Sequence, residues 1–123
     1  MSTDSMADLR QTLRAFARER DWEQFQTPKN LVMALSGEVG ELTEIFQWLT
    51  AEESAAVMEG GRSADVEDEL ADVLIYLVRL ADVLGVDLVA AAQAKMIRNE
   101  TRFPAAAVRG QATRSPDRSA RDS

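Results

Sequence analysis

Residues 31–46 read LVMALSGEVGELTEIF, and the helical architecture of the chain can be inferred from this segment. Its apolar residues recur every three or four positions, which is the spacing of one face of an α-helix. Glu38 and Glu41 lie three residues apart, so both carboxylates leave the same face about one turn from each other. Gly37 and Gly40 interrupt the pattern, and each destabilises a helix interior by up to ~1 kcal/mol relative to alanine. Close approach of another helix or of a ligand would explain them, and a merely tolerated glycine is the alternative.

Residues 66–84, VEDELADVLIYLVRLADVL, carry a second pair of carboxylates at the same spacing, Glu69 and Asp72. If the two helices pack face to face, the two pairs converge with no basic residue between them. Such a cluster near an apolar interior would repel itself unless cations neutralised it. Mg²⁺, or Mn²⁺ in its place, is the natural partner of an all-oxygen site. A solvated helix face explains either pair alone, whereas two matching pairs on neighbouring helices favour a metal site.

The composition restricts the chemistry that the chain can perform. With 123 residues, no cysteine and no histidine, the chain has no disulfides and lacks the ligands of common zinc sites and the Glu-x-x-His motif of di-iron bundles. A formal charge of -7 argues against nucleic acid as a partner, while bridging cations still allow a small phosphate ligand. We find no secretory signal and no long apolar run, which predicts a cytoplasmic protein with no membrane partner.

The apolar spacing predicts an all-α fold that forms a helical bundle or half of a larger one. The predicted helices cover about residues 6–20, 28–50, 63–84 and 88–102. Thr27, Ser63 and Asp87 are the predicted N-caps of the last three helices. The helical domain is expected to span residues 1–104, and the remainder, 105–123, has the composition of a disordered tail.

Several aromatic and polar residues could contact a ligand. Trp22 and Trp48 flank the second helix and could stack on a nucleobase, with packing in a core or interface as the alternative. Tyr76 shares the carboxylate face of its helix and could donate to a phosphate, or could be an ordinary core tyrosine. A polar stripe on the last helix consists of Lys95, Asn99 and Arg102. A solvated helix face explains this stripe, as does recognition of phosphate and base.

Three segments carry a family resemblance: WEQFQTPKNLVMALSGEVGELTEIFQWL, DELADVLIYLVRLA and KMIRNETRFP. Together they resemble the MazG-like all-α nucleoside triphosphate pyrophosphohydrolases, and most closely the dCTP pyrophosphatase branch, over about residues 8–104. The resemblance implies Mg²⁺-dependent cleavage between the α and β phosphates, which yields a nucleoside monophosphate and pyrophosphate. It also implies a homo-oligomer, a dimer or a tetramer built as a dimer of dimers, in which the last helix of one subunit helps to close another's pocket.

The resemblance further implies roles for individual residues. The implied Mg²⁺ ligands and catalytic residues are Glu38, Glu41, Glu69 and Asp72. The implied substrate contacts are Trp22 and Trp48 around the base, Tyr76 and Lys95 near the phosphates, Asn99 at the base, and Arg102. Relatives often have histidine in place of Gln26, and some in place of Leu13, which leaves the base open between dCTP, a modified dCTP, dUTP and a broad set of triphosphates. A non-catalytic nucleotide-binding helical module is the alternative outside enzymes, and a di-iron bundle is disfavoured by the missing histidines.

Overall fold

The structure is a computed structural model that describes residues 5–111, and all regular structure in this range is helical. The α-helices are α1 (Ser5–Glu19), α2 (Pro28–Phe46), α3 (Ala51–Ala55), α4 (Ser63–Leu84), α5 (Leu88–Arg102) and α6 (Ala105–Val108). Short 3₁₀ helices lie at Glu23–Phe25 and Val57–Glu59. The all-α prediction is therefore confirmed. Within the described range, every helix is too short or too polar to cross a lipid bilayer.

The chain divides into two compact units, one ending at Val86 and the other beginning at Asp87. In the first unit, α2 and α4 pack against each other more extensively than any other pair of helices, and α1 packs on α4. The buried apolar residues of this unit are Ala17, Leu31, Ile45, Val66, Val78 and Ala81. Because α2 and α4 share this core, their carboxylate faces are held next to each other. The second unit contains α5 and α6.

Two of the three predicted helix caps are confirmed. The Thr27 hydroxyl accepts a hydrogen bond from the backbone N–H three residues later, at 3.2 Å, and the Asp87 carboxylate does the same at 3.0 Å. The prediction for Ser63 is wrong, because Ser63 is already the first residue of α4 and the cap position belongs to Arg62. The Arg62 guanidinium donates to Asp65 one turn later at 2.8 Å, which ties the start of the helix together without a side-chain cap.

The end of α2 also differs from the prediction, since the helix stops at Phe46 rather than near residue 50. The Thr50 hydroxyl accepts from the Glu53 N–H at 3.1 Å, and the Glu53 carboxylate accepts from the Thr50 N–H at 2.9 Å. This reciprocal pair is a capping box, which starts a new helix at Ala51 instead of extending the old one. The segment between α2 and α4 is therefore partly helical, where the sequence predicts an irregular connector.

The start of the predicted tail is helical as well. Residues 105–108 form α6 directly after Pro104, where the sequence predicts disorder. Three successive alanines, which have the highest helix propensity, account for this short turn of helix. Residues 112–123, the rest of the predicted tail, lie outside the described residues.

A tight turn after α1 positions the first tryptophan. Asp21 adopts a left-handed conformation with φ +54°, which few non-glycine residues do. The chain then reverses, and the Trp22 N–H donates to the Ala17 carbonyl at 2.9 Å. The Trp22 ring meets the Phe16 ring edge-on, with centroids 5.7 Å apart and planes at 69°. Trp22 is thus folded back against the end of α1.

Candidate metal centre and nucleotide cavity

Three carboxylates from two helices converge on one point. Glu38 and Glu41 leave the same face of α2, and Glu69 faces them from α4. One carboxylate oxygen from each of the three lies within 4.8 Å of the other two. The i,i+3 spacing on α2 and the close packing of α2 on α4 produce this arrangement, and the three oxygens are close enough to bind one cation together.

The burial of these side chains fits a bound cation. Glu38 and Glu69 are half-buried, while Glu41 is exposed. Glu38 Oε2 and Glu69 Oε2 are both removed from solvent, and no described residue donates a hydrogen bond to either oxygen. A buried carboxylate oxygen without a donor is unfavourable, and a hard divalent ion at this position would satisfy both. The donor set, oxygen alone, suits Mg²⁺ or Mn²⁺.

The electrostatics of the cluster point the same way. Burial, followed by the proximity of Glu38 and Glu41, raises the pKa of Glu69 to about 7. Burial also raises the pKa of Glu38, the proximity of Glu69 opposes this rise, and the charges of Glu41 and Asp72 add to it. The cluster therefore holds a proton more readily than isolated glutamates do, and a cation could take the place of that proton.

Asp72 borders this group without joining its closest part. It lies one turn after Glu69 on α4 and is half-buried, and its charge acts on Glu38. The tight group of three oxygens does not include it. Aspartate is one methylene shorter than glutamate, so its carboxylate stays nearer to its own helix. Of the four predicted ligands, the structure brings three together and places the fourth beside them.

An open acidic groove of about 310 Å³ adjoins the cluster. Its lining consists of Glu41, Glu44, Ile45, Arg62, Asp65, Asp68 and Glu69. Glu44 and Asp68 were not predicted as site residues, although each continues an i,i+3 acidic spacing in the sequence with Glu41 and Asp65. The groove exposes the solvent side of the cluster, which gives an ion a route to it.

A second, more enclosed cavity of about 290 Å³ lies between α1, α4 and the turn that follows α1. Its lining consists of Leu13, Phe16, Trp22, Gln26, Ile75, Tyr76 and Arg79. Trp22 and Tyr76 were predicted as substrate contacts, and Leu13 and Gln26 as positions that influence the choice of base. Arg79 was not predicted, although a basic residue within the apolar segment of α4 is a signal that the sequence contains.

The polar end of this cavity is a network centred on Arg79, which is only 8% exposed. Arg79 Nε donates to Gln26 Oε1 at 2.6 Å, and Arg79 Nη1 donates to Asp82 Oδ2 at 3.1 Å. Asp82 also accepts two hydrogen bonds from Arg14 on α1, at 2.6 and 3.1 Å. The hydrogen bond from Arg14 lowers the pKa of Asp82, and the Arg79 charge contributes to this. The network links α1, α4 and the segment before α2.

The remaining predicted contacts lie elsewhere in the described range. Trp48 follows the end of α2, is 87% exposed and does not line the aromatic cavity. Lys95, Asn99 and Arg102 lie on α5 in the second unit. Within that unit Lys95 is exposed, Asn99 Nδ2 lies 3.6 Å from Met96 Sδ, and the Arg102 guanidinium lies 5.2 Å from the centre of the Phe103 ring.

Comparison with known proteins identifies the family. The profile of the MazG-like family matches residues 33–114. dCTP pyrophosphatase 1 of Bos taurus is 46% identical over 117 residues, which cover 94% of this chain and 69% of the bovine protein. The Homo sapiens protein of the same name is 50% identical over 102 residues, covering 82% of this chain and 60% of its own. A crystal structure of a pyrophosphatase from Archaeoglobus fulgidus superposes with a TM-score of 0.78 and 43% identity, covering 85% of this chain and 96% of that one. The chain belongs to the MazG-like family.

Proposed function

We propose that this protein is a Mg²⁺-dependent nucleoside triphosphate pyrophosphohydrolase whose substrate is dCTP or a modified dCTP. The observation that carries the proposal is the convergence of Glu38, Glu41 and Glu69 with two buried carboxylate oxygens that lack donors. Such a site holds a hard cation, and a hard cation is what a triphosphate needs in order to approach an acidic surface. The names of the bovine and human relatives supply the base, cytosine.

The residues of the cluster have distinct tasks in this proposal. Glu38, Glu41 and Glu69 hold the ion, and Asp72 completes its surroundings from α4. When bound, Mg²⁺ supplies charge neutralisation and electrophilic activation for cleavage between the α and β phosphates. The chain has no histidine, so the proton acceptors that it can offer to an attacking water at this site are carboxylates.

The cavity lined by Trp22 and Tyr76 is the proposed base pocket. Its lining is mainly apolar and aromatic, which suits a planar ring that stacks on Trp22. Tyr76, for which the resemblance implies a place near the phosphates, belongs to the lining of this cavity and lies one turn after Asp72 on α4, so one helix serves both the metal cluster and the base pocket. The base and the phosphates would thus be bound by neighbouring parts of the first unit.

Further substrate contacts are proposed for Trp48, Lys95, Asn99 and Arg102, supplied in a homo-oligomer, a dimer or a tetramer. Two observations support an oligomer. Trp48 is 87% exposed in the single chain, and the outward face of α4 exposes leucines at helical spacing, Leu70, Leu74 and Leu77. Apolar surface of this kind usually packs against another subunit. Closure of one subunit's pocket by α5 of another is part of the same proposal.

Pyrophosphate release from a panel of triphosphates, with Mg²⁺ and with chelator, tests the function. We expect release from dCTP or 5-methyl-dCTP with Mg²⁺ and none with chelator. Glu41→Gln and Asp72→Asn should keep the fold and reduce turnover by about two to three orders of magnitude. Glu67→Gln, which changes an exposed acid on α4 outside the cluster, is the control and should keep normal turnover. Near-normal turnover in both cluster variants would refute the metal-ligand assignment.

Two alternatives predict different results in the same assay. Faster cleavage of dUTP, or equal cleavage of many triphosphates, would keep the reaction and replace the substrate. A non-catalytic nucleotide-binding module would bind dCTP with Mg²⁺-dependent affinity and release no pyrophosphate.

A further inference from the structure

We infer that Arg79 is a positioning residue for base recognition: it holds the Gln26 amide so that Nε2 remains as a hydrogen-bond donor for the base in the cavity. The base must then present an acceptor, a carbonyl oxygen or an unprotonated ring nitrogen, at that point. The inference rests on the proposed function in one respect, namely that the cavity of Trp22 and Tyr76 takes a nucleobase.

The hydrogen bond between the two side chains determines which way the amide faces. A guanidinium can only donate hydrogen bonds, and Arg79 Nε lies 2.6 Å from Gln26 Oε1. Turning the amide over would place an NH₂ group against an N–H group in a buried position, which is unfavourable. The oxygen of Gln26 is therefore engaged, and the nitrogen is the group that this cavity-lining side chain can offer to a ligand.

Arg79 is itself fixed in place. It is only 8% exposed, and its second nitrogen, Nη1, donates to Asp82. Asp82 is held from the other side by two hydrogen bonds from Arg14, and these contacts lower the pKa of Asp82. Asp82 thus stays ionised near neutral pH, and a buried guanidinium does not readily leave an ionised partner. The Gln26 amide is anchored to the fold through this network.

The consequence for the ligand follows from the few polar groups in the cavity. In a mainly apolar pocket, a base that directs an amino group at Gln26 Nε2 leaves two donors facing each other with little water to satisfy them. O2 and N3 of cytosine can accept a hydrogen bond there, while its 4-amino group must point elsewhere. The hydrogen bond between Arg79 and Gln26 thus selects the orientation of a pyrimidine, and it disfavours bases that place only an amino group opposite Gln26 Nε2.

Three variants separate this role from a structural one. Arg79→Met keeps the length of the side chain and removes the donors, so the amide is free to turn. Gln26→Glu keeps an acceptor for Arg79 and replaces Nε2 by an oxygen. Arg18→Met is the matched control, because it makes the same change at an exposed arginine of α1 whose ion-pair partner, Glu23, lies outside the network of Arg79.

Isothermal titration calorimetry of deoxynucleoside monophosphates in Mg²⁺ provides the test, since dCMP, dUMP, dAMP and dGMP have no α–β bond to cleave. In Arg79→Met we expect the ratio between the weakest and the tightest Kd to shrink about tenfold. In Gln26→Glu the Kd of the preferred monophosphate should rise about tenfold. Arg18→Met should keep the wild-type ratio within about twofold, because its partner, Glu23, is not shared with Arg79 or Gln26.

The inference is overturned if Arg79→Met keeps the wild-type ratio, or if Arg18→Met reduces it as strongly. If Arg79→Met does not fold, the test rests on Gln26→Glu, and an unchanged Kd of the preferred monophosphate in that variant overturns the inference. A wild-type protein that binds all four monophosphates equally also overturns it. These titrations do not depend on catalysis. A protein that discriminates between bases but releases no pyrophosphate would refute the proposed function alone, and an active enzyme with an unchanged ratio in Arg79→Met would refute this inference alone.

Discussion

Glu38 on α2 and Glu69 on α4 each bury one carboxylate oxygen, Oε2, to which no described residue donates a hydrogen bond. The two carboxylates lie on facing helices with Glu41 beside them, so their negative charges repel one another and destabilise the packing of α2 on α4. A proton on Glu69 or a bound divalent ion would reduce this electrostatic repulsion. The stability of the protein should therefore depend on pH and on metal in a linked manner.

Without divalent metal, the free energy of unfolding should fall as the pH rises. The pKa of Glu69 is raised from 4.5 to about 7, so the folded chain holds this proton more tightly than the unfolded chain does. The stabilising contribution is complete below pH 4.5 and is lost as the pH rises through about 7. Urea denaturation in chelator at several pH values measures this, and Mg²⁺ should offset the loss. Equal stability on both sides of the window would contradict the prediction.

Glu69→Gln should separate stability from function. Glutamine stays neutral at every pH. In the presence of chelator, the variant should therefore have a higher melting temperature than the wild type at pH 8, and its melting temperature should depend less on pH. The same variant should lose the stabilisation that Mg²⁺ gives to the wild type. Differential scanning calorimetry with and without Mg²⁺ provides both readings, with Glu67→Gln as the control that should respond like the wild type. An undiminished Mg²⁺ response in Glu69→Gln would argue against its role as a ligand.

Gly40→Ala should stabilise the isolated chain. A Cβ placed on Gly37 or Gly40 meets no atom of the described residues within 4 Å, so the close helix approach that would explain these glycines is not found there. Alanine should therefore raise the free energy of unfolding by up to ~1 kcal/mol. Chemical denaturation gives the stability and pyrophosphate release gives the activity. Unchanged stability would contradict the prediction, and a stabilised but inactive variant would locate a ligand or a second subunit at this face.

Asp82→Asn should destabilise the protein by about 2–4 kcal/mol, because the buried Arg79 loses its anionic partner. The pKa of Asp82 is lowered from 3.8, so its contribution is present above pH 3.8 and is lost as the pH falls through the lowered value. Urea denaturation at neutral and acidic pH should show a difference between variant and wild type that narrows in acid. A change below about 0.5 kcal/mol at neutral pH would contradict the prediction.

Local spacing accounts for what the sequence predicts well. Thr27 begins α2 as expected, and the carboxylate pairs fall on the faces that the helical period assigns to them. The early end of α2 could also have been predicted from the sequence, since Thr50 and Glu53 form the T-x-x-E pattern of a capping box. There the error lies in extending an apolar period past a local start signal.

Contacts between distant parts of the chain could not be predicted in this way. Arg79 and Gln26 are 53 residues apart, and Arg14 and Asp82 are 68 residues apart. A helical period places Arg79 on a face of α4, but it does not say which segment will pack there. The apolar content of α4 indicates burial, and only the packing of α1 and the segment before α2 shows that a charged network forms the end of a cavity.

The two walls of the proposed base cavity differ in the sequence separation of the residues that form them. The aromatic wall arises within α1 and its turn, through the contact of Phe16 with Trp22 and the hydrogen bond from Trp22 to Ala17. The polar wall needs Arg79 to meet Gln26 across 53 residues. Since loop closure becomes entropically less favourable as the loop lengthens, the aromatic wall can form early in folding, whereas the polar wall waits for α4. A partly folded chain would therefore expose the Phe16–Trp22 pair before the cavity closes, and base selectivity would be the last property of the site to appear.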